Sequence, residues 1–207
     1  MKHSIQHSDT HKPTASSKRI DSMSSRILTV CALGALTTTA LPAWAECPVG
    51  ATESSTISQY VTEGDTAFIN MDEDGFKQAH EAAVWALPCV SEGLSSGQVA
   101  GFHKMEALGA FLGRQHGATV ASFRALAASA PGYALSDDLA PESHPMRIHF
   151  AVASDMPESP VKPLARPSEG WIYVDGAPSS EVPTDRPYVF QRFDEEGAVV
   201  QTQLVQA

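Results

Sequence analysis

Four stretches of the chain carry apolar side chains at helical spacing. Between residues 54 and 69, Ile57, Tyr60, Val61, Ala67 and Phe68 recur at intervals that gather on one side of a helix. Ser54 or Ser55 offers a hydroxyl for its N-terminus, and Gly64 is a weak point within it. Met71 to Gly75 reads as a turn. A second helix is predicted from Glu73 to Leu87, with Phe76, Ala79, Ala83 and Ala86/Leu87 on one stripe and Pro88 ending it. A third runs from Gly97 to Gln115, with Phe102, Met105, Gly109 and Leu112 in line and Leu108 and Phe111 widening the face; His116-Gly117 breaks it. A fourth spans Ala118 to Ala130 through Val120, Phe123, Leu126 and Ala127, and stops at Pro131-Gly132. Short connections make these two antiparallel hairpins that pack through alanine-rich faces.

The pattern then changes. Pro131 to His144 is an irregular connector. In Pro145 to Ser154 the residues Met146, Ile148, Phe150 and Val152 alternate with more polar or smaller ones, as in a strand, while Pro145 equally suits the first turn of a helix. Met156 to Ser168 holds four prolines and reads as an extended linker. Trp171 to Val174, Tyr188 to Arg192 and Val199 to Val205 have β character, with Asp175-Gly176 and Asp194 to Gly197 as turns. On the last strand Val200, Thr202 and Leu204 share one face. Three strands alone bury little, so this meander is expected to pack on the helices. The fold class is α+β: N-terminal antiparallel helical hairpins followed by a small C-terminal antiparallel β meander. The expected units are a leader over 1–45, a helical domain with its connector over 46–154, a Pro-rich linker over 155–169 and a β unit over 170–207.

The leader carries its own logic. Arg26 precedes the apolar run Ile27 to Leu36, and Ala43-Trp44-Ala45 supplies small residues where signal peptidase reads. Thr37, Thr38, Thr39 and Pro42 interrupt the run well short of the roughly 20 apolar residues of a membrane span. The expectation is an exported protein, periplasmic or at the cell surface, without a membrane anchor after processing, whose mature chain begins near Glu46. Met23 makes a conventional start for such a signal, so His3, His7 and His11 carry no metal argument. Residues 1–45 hold five Lys/Arg and two Asp/Glu, which leaves nine basic and 22 acidic residues in 46–207, a net charge of −13. Such a surface repels phosphate backbones and anionic membranes, which excludes nucleic acid as the expected partner. Two cysteines remain, Cys47 and Cys89; in an exported chain they are expected to form a disulfide. It would close a loop of about 40 residues and contribute about 3–4 kcal/mol.

Leu108-Gly109-x-x-Leu112, Phe123 followed by Pro131, and Phe76-x-x-Ala79 resemble signature positions of tetratricopeptide (TPR) helix pairs over about residues 54–131. Leu126 stands where that repeat has alanine, and no Trp opens either unit. The resemblance implies protein or peptide binding in a groove. Gly170-Trp-Ile-Tyr-Val-Asp-Gly176, with Pro183 after it, resembles the PEGA surface module, which implies an envelope setting.

Candidate chemistry is sparse. Asn70, Asp72, Asp74, Gly75 and Glu81 fall at positions 1, 3, 5, 6 and 12 of an EF-hand-like calcium loop. The competing reading is an acidic turn whose Asp72, Glu73 and Asp74 cap the second helix. His103-x-x-Glu106 reads as a solvated polar face of the third helix, a metal site only if His80 or His116 joins it; His144 and His149 stand near Asp137 and Asp138 across the connector. No G-x-S-x-G, phosphate-cradling glycine loop or H-E-x-x-H occurs. The expected function is therefore a non-enzymatic scaffold or adaptor for a protein or peptide partner in the envelope, without a cofactor. The alternatives are a calcium-binding exported protein using Asn70, Asp72, Asp74 and Glu81, and an enzyme of unrecognised type. Expression in a host with an intact secretion pathway should yield a chain whose N-terminal residue is Glu46; an unprocessed chain in the membrane fraction would refute the cleavable leader.

Overall fold

A computed structural model describes Cys47 and residues 50–206; the leader and its proposed cleavage site lie outside the described residues. Five helices come first: α1 (Ser54–Ile69), α2 (Glu73–Ala86), α3 (Ser96–Leu112), α4 (His116–Ser129) and α5 (Pro145–Asp155), with a single 3₁₀ turn at Leu87–Cys89. Six short strands follow: β1 (Val161–Pro163), β2 (Trp171–Val174), β3 (Ala177–Pro178), β4 (Glu181–Pro183), β5 (Tyr188–Phe193) and β6 (Val199–Val205). The architecture is α+β, with α1/α2 and α3/α4 as the helical hairpins and an antiparallel sheet after them.

Local chemistry sets most helix ends. Asp72 accepts the Gly75 amide at 2.9 Å, and Glu73 and Asp74 occupy the first turn of α2, where carboxylates suit the helix dipole. Ser95 and Gln98 form a reciprocal capping box on α3. The first helix departs from expectation. Neither Ser54 nor Ser55 caps it; instead Glu92, from the loop before α3, accepts the Ser54 amide at 3.1 Å and its hydroxyl at 2.7 Å. The third helix ends at Leu112, earlier than predicted, and Arg114 takes a positive φ of 55°. His116-Gly117 is the first turn of α4 rather than a break.

Segment 145–155 is helical. Met146 and Ala153 are buried seven residues apart, whereas Ile148 and Val152 are 67% and 49% exposed. The alternation in the sequence did not mark a buried face. Arg147 of α5 organises the irregular connector by donating to the Ala140 carbonyl at 2.6 Å, the Leu135 carbonyl at 3.2 Å and the Asp137 carboxylate at 2.6 Å.

The main sheet has the order β3-β2-β5-β6, all antiparallel, and β2–β3 is joined by Asp175-Gly176. Both turn residues have positive φ, 52° and 76°, the requirement of a type I′ hairpin turn. One sheet face carries Val189, Gln191, Thr202 and Leu204 toward the helices; Val189 is 1% exposed and lies in the main core. The other carries Ile172, Val174, Tyr188 and Phe190, covered by Val182 and Leu164. The Pro-rich segment is not a free tether: β1 pairs with β4 in a second ladder, and Arg124 of α4 holds the Pro157 carbonyl at 2.7 Å and Asp185 at 2.6 Å.

Two groups of contacts lock sheet to helices. Gln191, 1% exposed, accepts the Leu94 amide at 2.8 Å and donates to the Glu92 carbonyl and to Thr202. Asp175 accepts from His103 Nε2 at 3.0 Å, from Arg186 at 2.6 Å and from the Val189 amide at 2.9 Å. Burial pushes the Asp175 carboxyl up, but the hydrogen bond and charge of His103, the Arg186 charge and the Val189 amide outweigh it and hold the group below its usual range.

Removing that carboxylate leaves His103 buried without its acceptor and the Arg186 charge with only the Pro187 carbonyl, so Asp175→Ala should lose about 3–5 kcal/mol of unfolding free energy in denaturant titration. Because the folded carboxyl is held below its unfolded value, its contribution is complete at neutral pH. It is lost as pH falls below the ordinary carboxylate range. Asp175→Asn should accordingly show a shallower loss of stability on acidification than the parent chain.

Candidate functional site

The α1–α2 turn, the C-terminal end of α3 and the connector before α5 enclose an apolar groove of about 460 Å³. Phe68, Ile69, Met71, Phe111, Leu112 and Leu139 line it, with Asp72, Glu73 and Asp138 also contributing to its lining. Met71 is 90% exposed, Ile69 44% and Leu112 38%. Met71 takes a positive φ of 57° in the turn that closes the α1/α2 hairpin. These large apolar side chains are thus left in water together beside charged neighbours. The groove exists because α3 outruns its own core. Its buried residues end at Leu108, and its last turn lies against the tip of the first hairpin.

A more polar cavity of about 470 Å³ adjoins it and shares Glu73, Phe76 and Leu112. Its wall contains a dyad: His80 of α2 and Glu106 of α3 stand 2.6 Å apart, half-buried, with the imidazole stacked on Phe76 at 5.9 Å. A carboxylate-oriented imidazole can hydrogen-bond a ligand or move a proton. Among the described residues, the His80 imidazole makes no other hydrogen bond. The two spaces adjoin at Glu73, Phe76 and Leu112, the first mainly apolar and the second bearing the imidazole.

The candidate residues from the sequence are distributed differently from expectation. Asn70 follows α1 as its C-terminal cap, Asp72 caps α2, Asp74 lies in the first turn of α2, and Glu81 faces solvent beside Lys77 at 4.0 Å. An EF-hand loop needs irregular backbone so that position 12 swings back to the ion. Here the helix begins at the fourth position, Glu73, and Glu81, eight places further on, lies about 12 Å along the axis. The structure does not bring the four ligands together, and among the described residues no group of three or more His, Cys, Asp or Glu is arranged to hold a metal.

His103 and Glu106, expected on a solvated face, are buried and half-buried and point to different partners, Asp175 and His80. His149 meets His116 rather than Asp137, which is taken by Arg147. The signal for His103 was present but diffuse: α3 carries apolar or small residues around most of its circumference, as a central helix must.

Cys47 and Cys89 are both thiols in this structure, Cys89 buried and Cys47 half-buried. A parallel bridge between Thr52 and Val90 lays the start of the described chain along the 3₁₀ turn. It brings the Cys47 thiol against that of Cys89, whose hydrogen bond, with burial, pushes Cys47 up to about 11.

No family model matches the chain, and no curated protein or solved structure shows significant similarity to it. Among the described residues no helix is long and apolar enough to cross a membrane. The adjacency of the thiols leads to a direct expectation for the chain kept in an oxidising medium: thiol titration of denatured, unreduced protein should find Cys47 and Cys89 unreactive, and two titratable thiols would exclude the disulfide.

Proposed function

We propose that the protein is an exported, non-enzymatic scaffold or adaptor that binds a protein or peptide partner of the cell envelope in the cleft between the α1–α2 tip and the end of α3. The supporting observation is the exposed apolar trio Ile69, Met71 and Leu112 gathered around one groove. Its neighbours Asp72, Glu73 and Asp138 carry no opposing cation in any ion pair among the described residues. The partner that suits this chemistry presents an apolar anchor, an aromatic or long aliphatic side chain, flanked by Lys or Arg. The anchor fills the apolar end, and the basic flank meets the carboxylates in a setting where the mature chain is already strongly acidic. The TPR-like and PEGA-like resemblances agree with such a role.

In vivo cross-linking of the tagged chain, read by mass spectrometry, should recover a stoichiometric envelope protein. Met71→Asp puts a charge where the anchor sits and should weaken that capture about tenfold or more, while Gln201→Asp on the sheet leaves it unchanged. Equal capture by both variants would remove the groove from the proposal.

A further inference from the structure

Residues 46–207 contain five histidines, and three have a role already: His80 is held by Glu106, His103 by Asp175, and His144 accepts the Met146 amide at the start of α5. The remaining two face one another. His116 is the first residue of α4 and His149 lies in the second turn of α5. His116 Nδ1 stands 3.3 Å from His149 Nε2, with ring centres 5.0 Å apart and 24° between the ring planes. Neither ring makes another hydrogen bond or an ion pair among the described residues. Phe111 packs edge-on against His149 at 6.0 Å and forms one wall.

A separation of 3.3 Å is at the long end for a hydrogen bond between nitrogens, the same length as the Met146 amide's bond to His144. It also matches a second geometry. Two imidazole nitrogens bound at about 2.0–2.1 Å to one tetrahedral zinc ion stand about 3.3–3.4 Å from each other. We propose that His116 Nδ1 and His149 Nε2 form a two-histidine site for a divalent late transition metal, zinc foremost, with nickel or copper as chemical relatives. Imidazole selects these ions, while calcium and magnesium require oxygen ligands. The pair lies at the surface, so water or a small anion completes the coordination sphere. The net charge of −13 on residues 46–207 favours approach of a dication. A metal there clips the start of α4 to α5, two elements separated in sequence by the irregular connector. This site is independent of what the groove binds.

The test uses the full chain with His3, His7 and His11 replaced by Asn and with Cys47→Ser, so that neither leader histidines nor a thiol pair compete. Calorimetric titration with zinc chloride should show one equivalent bound and a raised melting temperature, with no heat from calcium or magnesium chloride. His116→Ala and His149→Ala, on different helices, should each weaken zinc binding by more than about tenfold, while His144→Ala leaves it unchanged. Circular dichroism of each variant checks that helix content is retained. Absence of zinc uptake, uptake unchanged in both variants, or an equal loss in His144→Ala would each overturn the assignment.

Discussion

A carboxylate withdrawn from water has to be answered by protein donors, and Asp175 is answered from three directions. His103 reaches it from α3, Arg186 from the segment before β5, and the Val189 amide from β5 itself. One oxygen takes two donors and the other takes the guanidinium. The carboxylate can sit there only if the β2–β3 turn is pressed onto α3, and Gly176 makes that approach possible: a side-chain carbon at this position would collide with the backbone of Ser95 and Ser96. The turn that defines the hairpin is thus also the point where the sheet docks. Satisfied, the network rewards one arrangement of helices and sheet; half-satisfied, it would be costly.

The same principle recurs at lower stakes. Irregular segments of this chain are held by long side chains from regular ones. Arg147 gathers the carbonyls of the connector, Arg124 grips Pro157 and Asp185, and Gln191 ties the sheet to the loop before α3. These donors fill carbonyls that no ladder would satisfy. They also explain how the described residues, with 11 prolines, keep their loops in place around a modest core. Close helix packing adds to this. Gly64 of α1 faces Met105 of α3, and a Cβ there would come within 2.6 Å of the methionine methyl.

The cleft follows from that arrangement. The tip of the first hairpin and the last turn of α3 project beyond the core, and the connector, fixed by Arg147, closes the third side. Apolar residues that would be core elsewhere, Ile69, Met71 and Leu112, are left at its rim. The His80–Glu106 dyad at the polar end ties α2 to α3 across the neighbouring cavity. Scaffold and candidate binding surface are therefore built from the same helices, with the surface drawn from the part that the core leaves over.

Local chemistry alone was enough to write much of this fold. Helical periodicity placed α1 and α2 nearly to the residue, Pro131-Gly132 ended α4, and Asp175-Gly176 marked its hairpin, because each depends on neighbours within one or two turns of chain. The acidic stretch at Asp72 to Asp74 is legible the same way, as a cap: Asp72 accepts the Gly75 amide and the helix begins at Glu73. What lay beyond local reading depends on residues far apart in sequence. Glu92 caps α1 from 38 positions away, and His103 finds Asp175 from 72. His116 and His149 meet only because the connector turns α5 back onto α4, and Val161 to Pro163 becomes a strand only because β4 stands beside it. Burial of a polar side chain, the partner of a charge and the shape of a groove are properties of the assembled chain, so only the tertiary structure decided them.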